Sequence, residues 1–352
     1  MENLKVFADL HHASLLYSLI LLFEGRLGGE VFRPIGKDWY DKGFWKIYDH
    51  PATVEQFLGI GGATPDGTPK LNEVIQKEAF LYHCKDIDSD KTNKAITFDG
   101  FMSTHFDIVI ASIPQHIEPF RRLCELHPSK PKLIFQIGNA WSVEAIGAKN
   151  IMASAVVDNV PSDINFISYH QEFDTNLFRP DYKIPQQNIY SFVNCFNVQD
   201  HFQADYALFQ EVENIMRDFD FRVFGGQCRD GAMHGSKQLA MKMREAQFIW
   251  HTKNGGDGYG HVIHNACAVG KPLIVKKSYY QGKLAEPLLI DRHTCINIDG
   301  LSTAEIVSRI SEVSESQEMY ENMCQNMTKK FKEVVNFDRE EQEIRQFIQN
   351  LK

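Results

Sequence analysis

The chain has 352 residues, 43% of them hydrophobic and 24% charged, with a formal net charge of -9. That length exceeds what one core usually covers, so two domains are expected, and the composition excludes a disordered or fibrous protein. The acidic balance gives no general attraction to nucleic-acid phosphates or anionic lipid, and the doublets Arg121-Arg122 and Lys276-Lys277 make no basic patch, so nucleic acid is not an expected partner.

Residues 4–10 read as an apolar strand. The longest apolar run, residues 13–23, is broken by Ser14, Tyr17 and Ser18 and is too short to span a bilayer. It follows a strand instead of a basic amino terminus, so it reads as part of a buried helix over about 13–26 and not as a signal peptide, and a cytoplasmic protein is expected. Gly28-Gly29 stops this helix, and a strand near 30–35 completes a βαβ opening. Residues 36–100 are less regular, with Trp39, Tyr40, Phe44, Trp45 and Tyr48 ahead of a glycine-rich turn at 59–67. This stretch is an insertion, forming either acceptor surface or an aromatic satellite core.

Alternation resumes with strands at 106–113, 133–137 and 151–157, separated by helices at 117–126 and 141–146, and a strand at 164–169 follows. A second α/β half then runs as strand 188–196, helix 204–217, strand 221–225, helix 236–246, strand 246–252, helix 260–269, strand 273–275 and helix 303–313. Two charged amphipathic helices, 319–334 and 339–351, close it. The seven cysteines, at 84, 124, 195, 228, 267, 295 and 324, are odd in number and form no Cys-x-x-Cys pair, which argues against a zinc ribbon or disulfide framework and suits a reducing compartment.

The most informative segment is Gly255-Gly256-Asp257-Gly258-Tyr259-Gly260 between the strand at 246–252 and the helix that Gly270 and Pro272 terminate. Its glycines let the backbone turn sharply and approach a ligand closely. The amides of Tyr259, Gly260 and His261 open a helix, where an anion such as a diphosphate is favoured. The turn at 59–63 lacks the Gly-Lys-Ser/Thr ending of a Walker loop, and residues 10–14 lack the glycines of a nicotinamide site.

Asp257, Gly258, Tyr259, Gly260, Asn265, Ala266, Gly270, Lys271 and Pro272 together resemble the donor-binding motif of retaining glycosyltransferases with the GT-B fold. A second match, Phe173-Asp174-Thr175-Asn176-Leu177-Phe178-Arg179-Pro180, is similar to that family's hinge segment. The resemblance implies an α/β protein with two Rossmann-like domains facing across a cleft. It implies an acceptor domain over 1–178, a nucleotide-sugar donor domain over 179–335, and a last helix, 336–352, crossing back to the first domain.

In the family the first carboxylate of the motif lies by the donor sugar and the second bonds the ribose. Here Asp257 is shorter than the usual Glu and Asn265 carries no charge. The family also takes an Arg and a Lys from the first strand and helix of the donor domain, whereas residues 191–200 contain no basic residue. Lys253, Arg229 and Lys237 are candidate substitutes, and Gly258, Tyr259, Gly260 and His261 complete the expected donor site.

His12, His116 and Asp9 follow strands at their carboxyl ends, where open α/β sheets place ligands. His116 is carried over from the family as a sugar contact, and Asp9 is a candidate base if the reaction inverts. His251, Asp257, His261 and His264 invite a metal reading, but they lack a Glu-assisted zinc motif and the family needs no metal. The expected activity is metal-independent, hexosyltransferase-like transfer from a nucleotide sugar to an unidentified hydroxyl, with retention. The sugar nucleotide serves as donor substrate, and no cofactor is expected. A catalytically degenerate binder of sugar nucleotides or glycans, and a nucleotide-sugar epimerase, are the alternatives.

Overall fold

The computed structural model describes residues 3–9, 13–34, 38–39, 94–138, 147–181, 187–233 and 235–352. Most of the expected insertion, the helix expected at 141–146, and His12 therefore lie outside the described residues. The chain divides into two compact units, Met1–Phe173 with Phe337–Lys352, and Asp174–Asn336.

Unit 1 is built on a seven-stranded parallel sheet, with strands β1 (Lys5–Ala8), β2 (Glu30–Pro34), β3 (Lys94–Ile96), β4 (Ile108–Ala111), β5 (Lys132–Ile137), β6 (Asn150–Ala153) and β7 (Asn165–Ser168). Their spatial order is β3-β2-β1-β4-β5-β6-β7. All four residues of β4 and of β6 are buried, as expected for parallel strands covered on both faces. Helix α1 (Ala13–Ile20) follows β1 and continues as a π-helical turn over Leu21–Arg26. Helix α2 (Phe98–Ser103) is capped by the Thr97 side chain, and α3 (Ile117–Leu126) buries Ile117, Phe120, Leu123 and Cys124 at helical spacing.

Of the aromatics in the expected insertion, Trp39 is described and it is core: its ring stacks on Phe7 at 4.9 Å and its indole N–H donates to the Ile96 carbonyl at 2.8 Å. The strand β3, which the irregular sequence around it concealed, brings that carbonyl alongside β2.

Unit 2 carries a five-stranded parallel sheet of β8 (Asn188–Ser191), β9 (Asp220–Val223), β10 (Phe248–Trp250), β11 (Leu273–Val275) and β12 (Cys295–Asn297), in the order β12-β11-β10-β8-β9. Its helices are α4 (Gln203–Ile215), α5 (Ser236–Glu245), α6 (His261–Val269), α7 (Thr303–Glu315) and α8 (Gln317–Val334). Ser302 and Glu305 form a reciprocal capping box at the start of α7. Gly270 ends α6 in the left-handed conformation, φ 68°, and a Cβ there would press on Thr328 of α8, so the helix stops where the next helix packs.

The final helix, α9 (Phe337–Gln349), belongs to unit 1. It buries Ile344, Phe347 and Ile348 and is tied to the sheet by side chains of β6 and β7. Asn165 donates to the Phe347 carbonyl at 3.0 Å, and Asn150 exchanges hydrogen bonds with the backbone of Lys352 at 2.9 and 3.2 Å. Glu340 accepts from the His170 backbone at 2.8 Å and lies 2.7 Å from its Nδ1. Arg26 bridges Glu172 at 2.5 Å and Asp338 at 2.7 Å.

Both sheets reverse their order of growth once. In unit 1 the chain adds β2 and β3 on one side of β1 and then starts the other side with β4; in unit 2 it adds β9 beside β8 and then starts the other side with β10. The carboxyl ends of β1 and β4, and those of β8 and β10, flank the points where open α/β sheets leave a crevice for ligands.

Candidate functional site

The glycine loop leaves β10 at one of these points. Two turns of backbone fix it: the Gly256 amide donates to the Lys253 carbonyl at 2.7 Å, and Gly260 adopts φ 85° as the N-cap of α6. Gly256, at φ 67°, has no room for a side chain, because a Cβ would run into the Tyr279 carbonyl. Tyr259 is only 4% exposed; its ring stacks on His264 at 4.2 Å and meets His261 edge-on at 4.9 Å. Gly260 offers its carbonyl to His264 Nδ1 at 2.9 Å. The aromatic position of the motif thus locks the start of the helix.

Asp257 anchors the loop. Its Oδ1 accepts from Lys253 Nζ at 2.5 Å, while Oδ2 lies 2.7 Å from His251 Nε2 and accepts from the Tyr280 hydroxyl at 3.1 Å. Burial would push this carboxyl up, but the charges and hydrogen bonds of His251 and Lys253 outweigh it and hold the group far below the usual carboxylate range. The Tyr280 hydroxyl is pushed well up by burial and by the Asp257 charge. Asn265, one turn into α6 and 5% exposed, has no hydrogen-bond partner for its Oδ1 among the described residues.

The other two basic candidates lie differently. Arg229 makes a two-pronged pair with Glu213 of α4 at 2.7 and 2.8 Å, reaches Asp230 at 3.1 Å and the Phe221 carbonyl at 2.9 Å, and lies over the Phe209 ring. With these partners it ties the loop after β9 to α4. Lys237 is exposed in the first turn of α5. Among the described residues no group of three or more His, Cys, Asp or Glu side chains is placed to hold a metal ion.

Three residues near the loop carry no local signal in the sequence. Lys283 donates to the carbonyls of Gly255 at 2.6 Å and Asp257 at 2.9 Å. Lys276, the first residue past β11, pairs with Asp205 of α4 at 2.7 Å, and Tyr279 donates to the same Asp205 oxygen at 3.1 Å. The Lys276-Lys277 doublet reads as surface charge, yet its place at the end of a strand beside β10 was the available clue.

In unit 1 the corresponding point holds an acid. Asp9, just past β1, accepts from the Ser112 amide at 2.7 Å and from the Ser112 hydroxyl, and its Oδ2 lies 2.7 Å from His116 Nδ1. Asp9 is 6% exposed and His116 1%. Burial raises the Asp9 carboxyl, but His116 and Ser112 overcome this and hold it below its ordinary value. The structure therefore joins two candidates that are 107 residues apart in sequence. An ionised carboxylate at this point disfavours a diphosphate, whereas in unit 2 the loop carboxylate, Asp257, is paired with Lys253, and Lys283 lies on the same loop.

No protein-family model and no curated protein matches the chain. Solved structures do. Anabaena HepE in complex with UDP and glucose is 12% identical, with a TM-score of 0.61 and 99% of each chain covered. An alpha-glucosyltransferase in complex with UDP-glucose and DNA containing an abasic site is 8% identical, with a TM-score of 0.62 and 99% of each chain covered. Sucrose-phosphate synthase from Thermosynechococcus elongatus is 11% identical, with a TM-score of 0.60 and the same coverage. The chain has the GT-B fold along nearly its whole length. No helix among the described residues is long and apolar enough to cross a membrane.

Proposed function

We propose that the protein is a glycosyltransferase that moves a sugar from a nucleotide-sugar donor to a hydroxyl acceptor. The observation that carries this reading is the glycine loop at the carboxyl end of β10, with Lys253 beside it and the unpartnered Asn265 oxygen one turn into the helix it opens. The amides at the start of α6 and the Lys253 ammonium would hold the diphosphate. Asn265 Oδ1 would accept from a donor hydroxyl. In the transfer, the acceptor oxygen bonds to the anomeric carbon and the bond from that carbon to the diphosphate oxygen breaks. Its electron pair leaves with the diphosphate, whose oxygen takes up the proton that the acceptor hydroxyl loses. No step needs a cofactor or a bound metal.

Retention is what the motif's resemblance implies. The buried Asp9–His116 pair favours a second reading, inversion with this pair, centred on Asp9, as the acceptor base.

Calorimetric titration with UDP, followed by an assay of UDP release from UDP-glucose with and without simple sugar and glycerol acceptors, tests the proposal. Binding with release is the expected outcome. Binding without any turnover would make the protein a binding module, and loss of all nucleotide binding would remove the donor-site reading. Proton NMR of the product's anomeric signal then separates retention from inversion.

A further inference from the structure

We propose that Lys283 is a positioning residue that turns the glycine loop toward the donor diphosphate; this rests on the reading of residues 255–260 as the diphosphate site. Lys283 comes from the segment after β11, past Gly282 at φ 71°, and its side chain passes over the Tyr280 ring. Two of its three N–H groups go to carbonyls of the loop, those of Gly255 and Asp257. In a trans peptide the N–H points opposite the carbonyl, so fixing the Asp257 carbonyl on Lys283 directs the Gly258 amide the other way. The chain has no cis peptide among the described residues, so this orientation holds here.

Gly256 lies between the two held carbonyls, and a Cβ on it would also crowd Lys283 Nζ. The absence of a side chain at 256 is thus what lets the ammonium reach the backbone. Asp257 serves the same end from the other side, since its carboxylate fixes Lys253 while its carbonyl is fixed by Lys283. The loop is thus held by two ammonium groups, Lys253 just past β10 and Lys283 in the segment after β11. Burial and the nearby Lys253 charge hold the Lys283 ammonium below the usual lysine value, against the pull of Asp257, which matches a cation spent on backbone carbonyls and not on a full counter-ion.

Inorganic pyrophosphate is the probe, because it reports on the loop without a base or a sugar. Lys283→Ala should weaken pyrophosphate binding by about tenfold or more, with the melting temperature and uridine binding unchanged, and Lys283→Arg should restore most of the affinity because a guanidinium also donates to two carbonyls. The loss in a Lys283→Ala/Gly256→Ala double variant should be clearly less than the sum of the two single losses, since both act through one backbone conformation. Pyrophosphate affinity unchanged in Lys283→Ala, or losses that add in full, would overturn the proposal while leaving the donor site standing. A wild-type protein that binds neither pyrophosphate nor UDP would instead overturn the donor site and this inference together.

Discussion

Asp257 shows how firmly a motif residue can be held by its neighbours. In the resembled family the first carboxylate lies by the donor sugar; here three side chains hold it, and the ion pair with Lys253 gives it a structural share. A carboxyl that titrates below its unfolded value of about 3.9 contributes stability above about pH 4, and that contribution is lost as the pH falls through the native value. Asp257→Asn should therefore cost about 2 kcal/mol at pH 7, discounted for the partial exposure of Lys253, and the gap to wild type should close as denaturant unfolding is repeated toward pH 3. A gap independent of pH would mean that the ion pair contributes nothing. The Asp9–His116 pair was legible only in halves: each residue marks the end of a strand, but that β1 and β4 are neighbours follows from the order of the sheet, which no local spacing encodes.

At the level of elements, the sequence displays most clearly what is long and periodic. The helix ending at Gly270 and the loop before it are legible because glycines and apolar spacing sit together within twenty residues. The strands β3 and β12 are no shorter than β10 and β11, but each carries a polar residue, Lys94 or Asn297, that breaks the apolar run, and Lys283 acquires meaning only when the chain returns through β11. The glycines of the loop also differ among themselves in a testable way. Gly255 and Gly256 both have positive φ, but a Cβ on Gly255 meets open space and one on Gly256 meets the Tyr279 carbonyl. Gly255→Ala should cost about 1 kcal/mol of backbone strain with binding nearly intact; Gly256→Ala should cost more than that and weaken UDP binding to a lower but still measurable affinity. Thermal melts and UDP titration of the two variants side by side check this, and equal effects would show that the contact with Tyr279 is not limiting.

For the whole molecule, the decisive feature is that unit 1 is made of two pieces of chain. Phe347 is 4% exposed, and its backbone carbonyl accepts from Asn165 of β7. Truncating this ring should remove about 3 kcal/mol or more from unit 1 and leave unit 2 untouched. Differential scanning calorimetry of Phe347→Ala should then separate two transitions, with the earlier one assigned to unit 1 by the peptides that limited proteolysis releases first. Residues 337–352 are also translated after every residue of unit 2. On the ribosome, residues 174–336 can complete their fold as a continuous stretch, while the earlier-made sheet waits with the flank of β7 uncovered until α9 emerges. Between the two units, order of synthesis and order of completion are thus reversed.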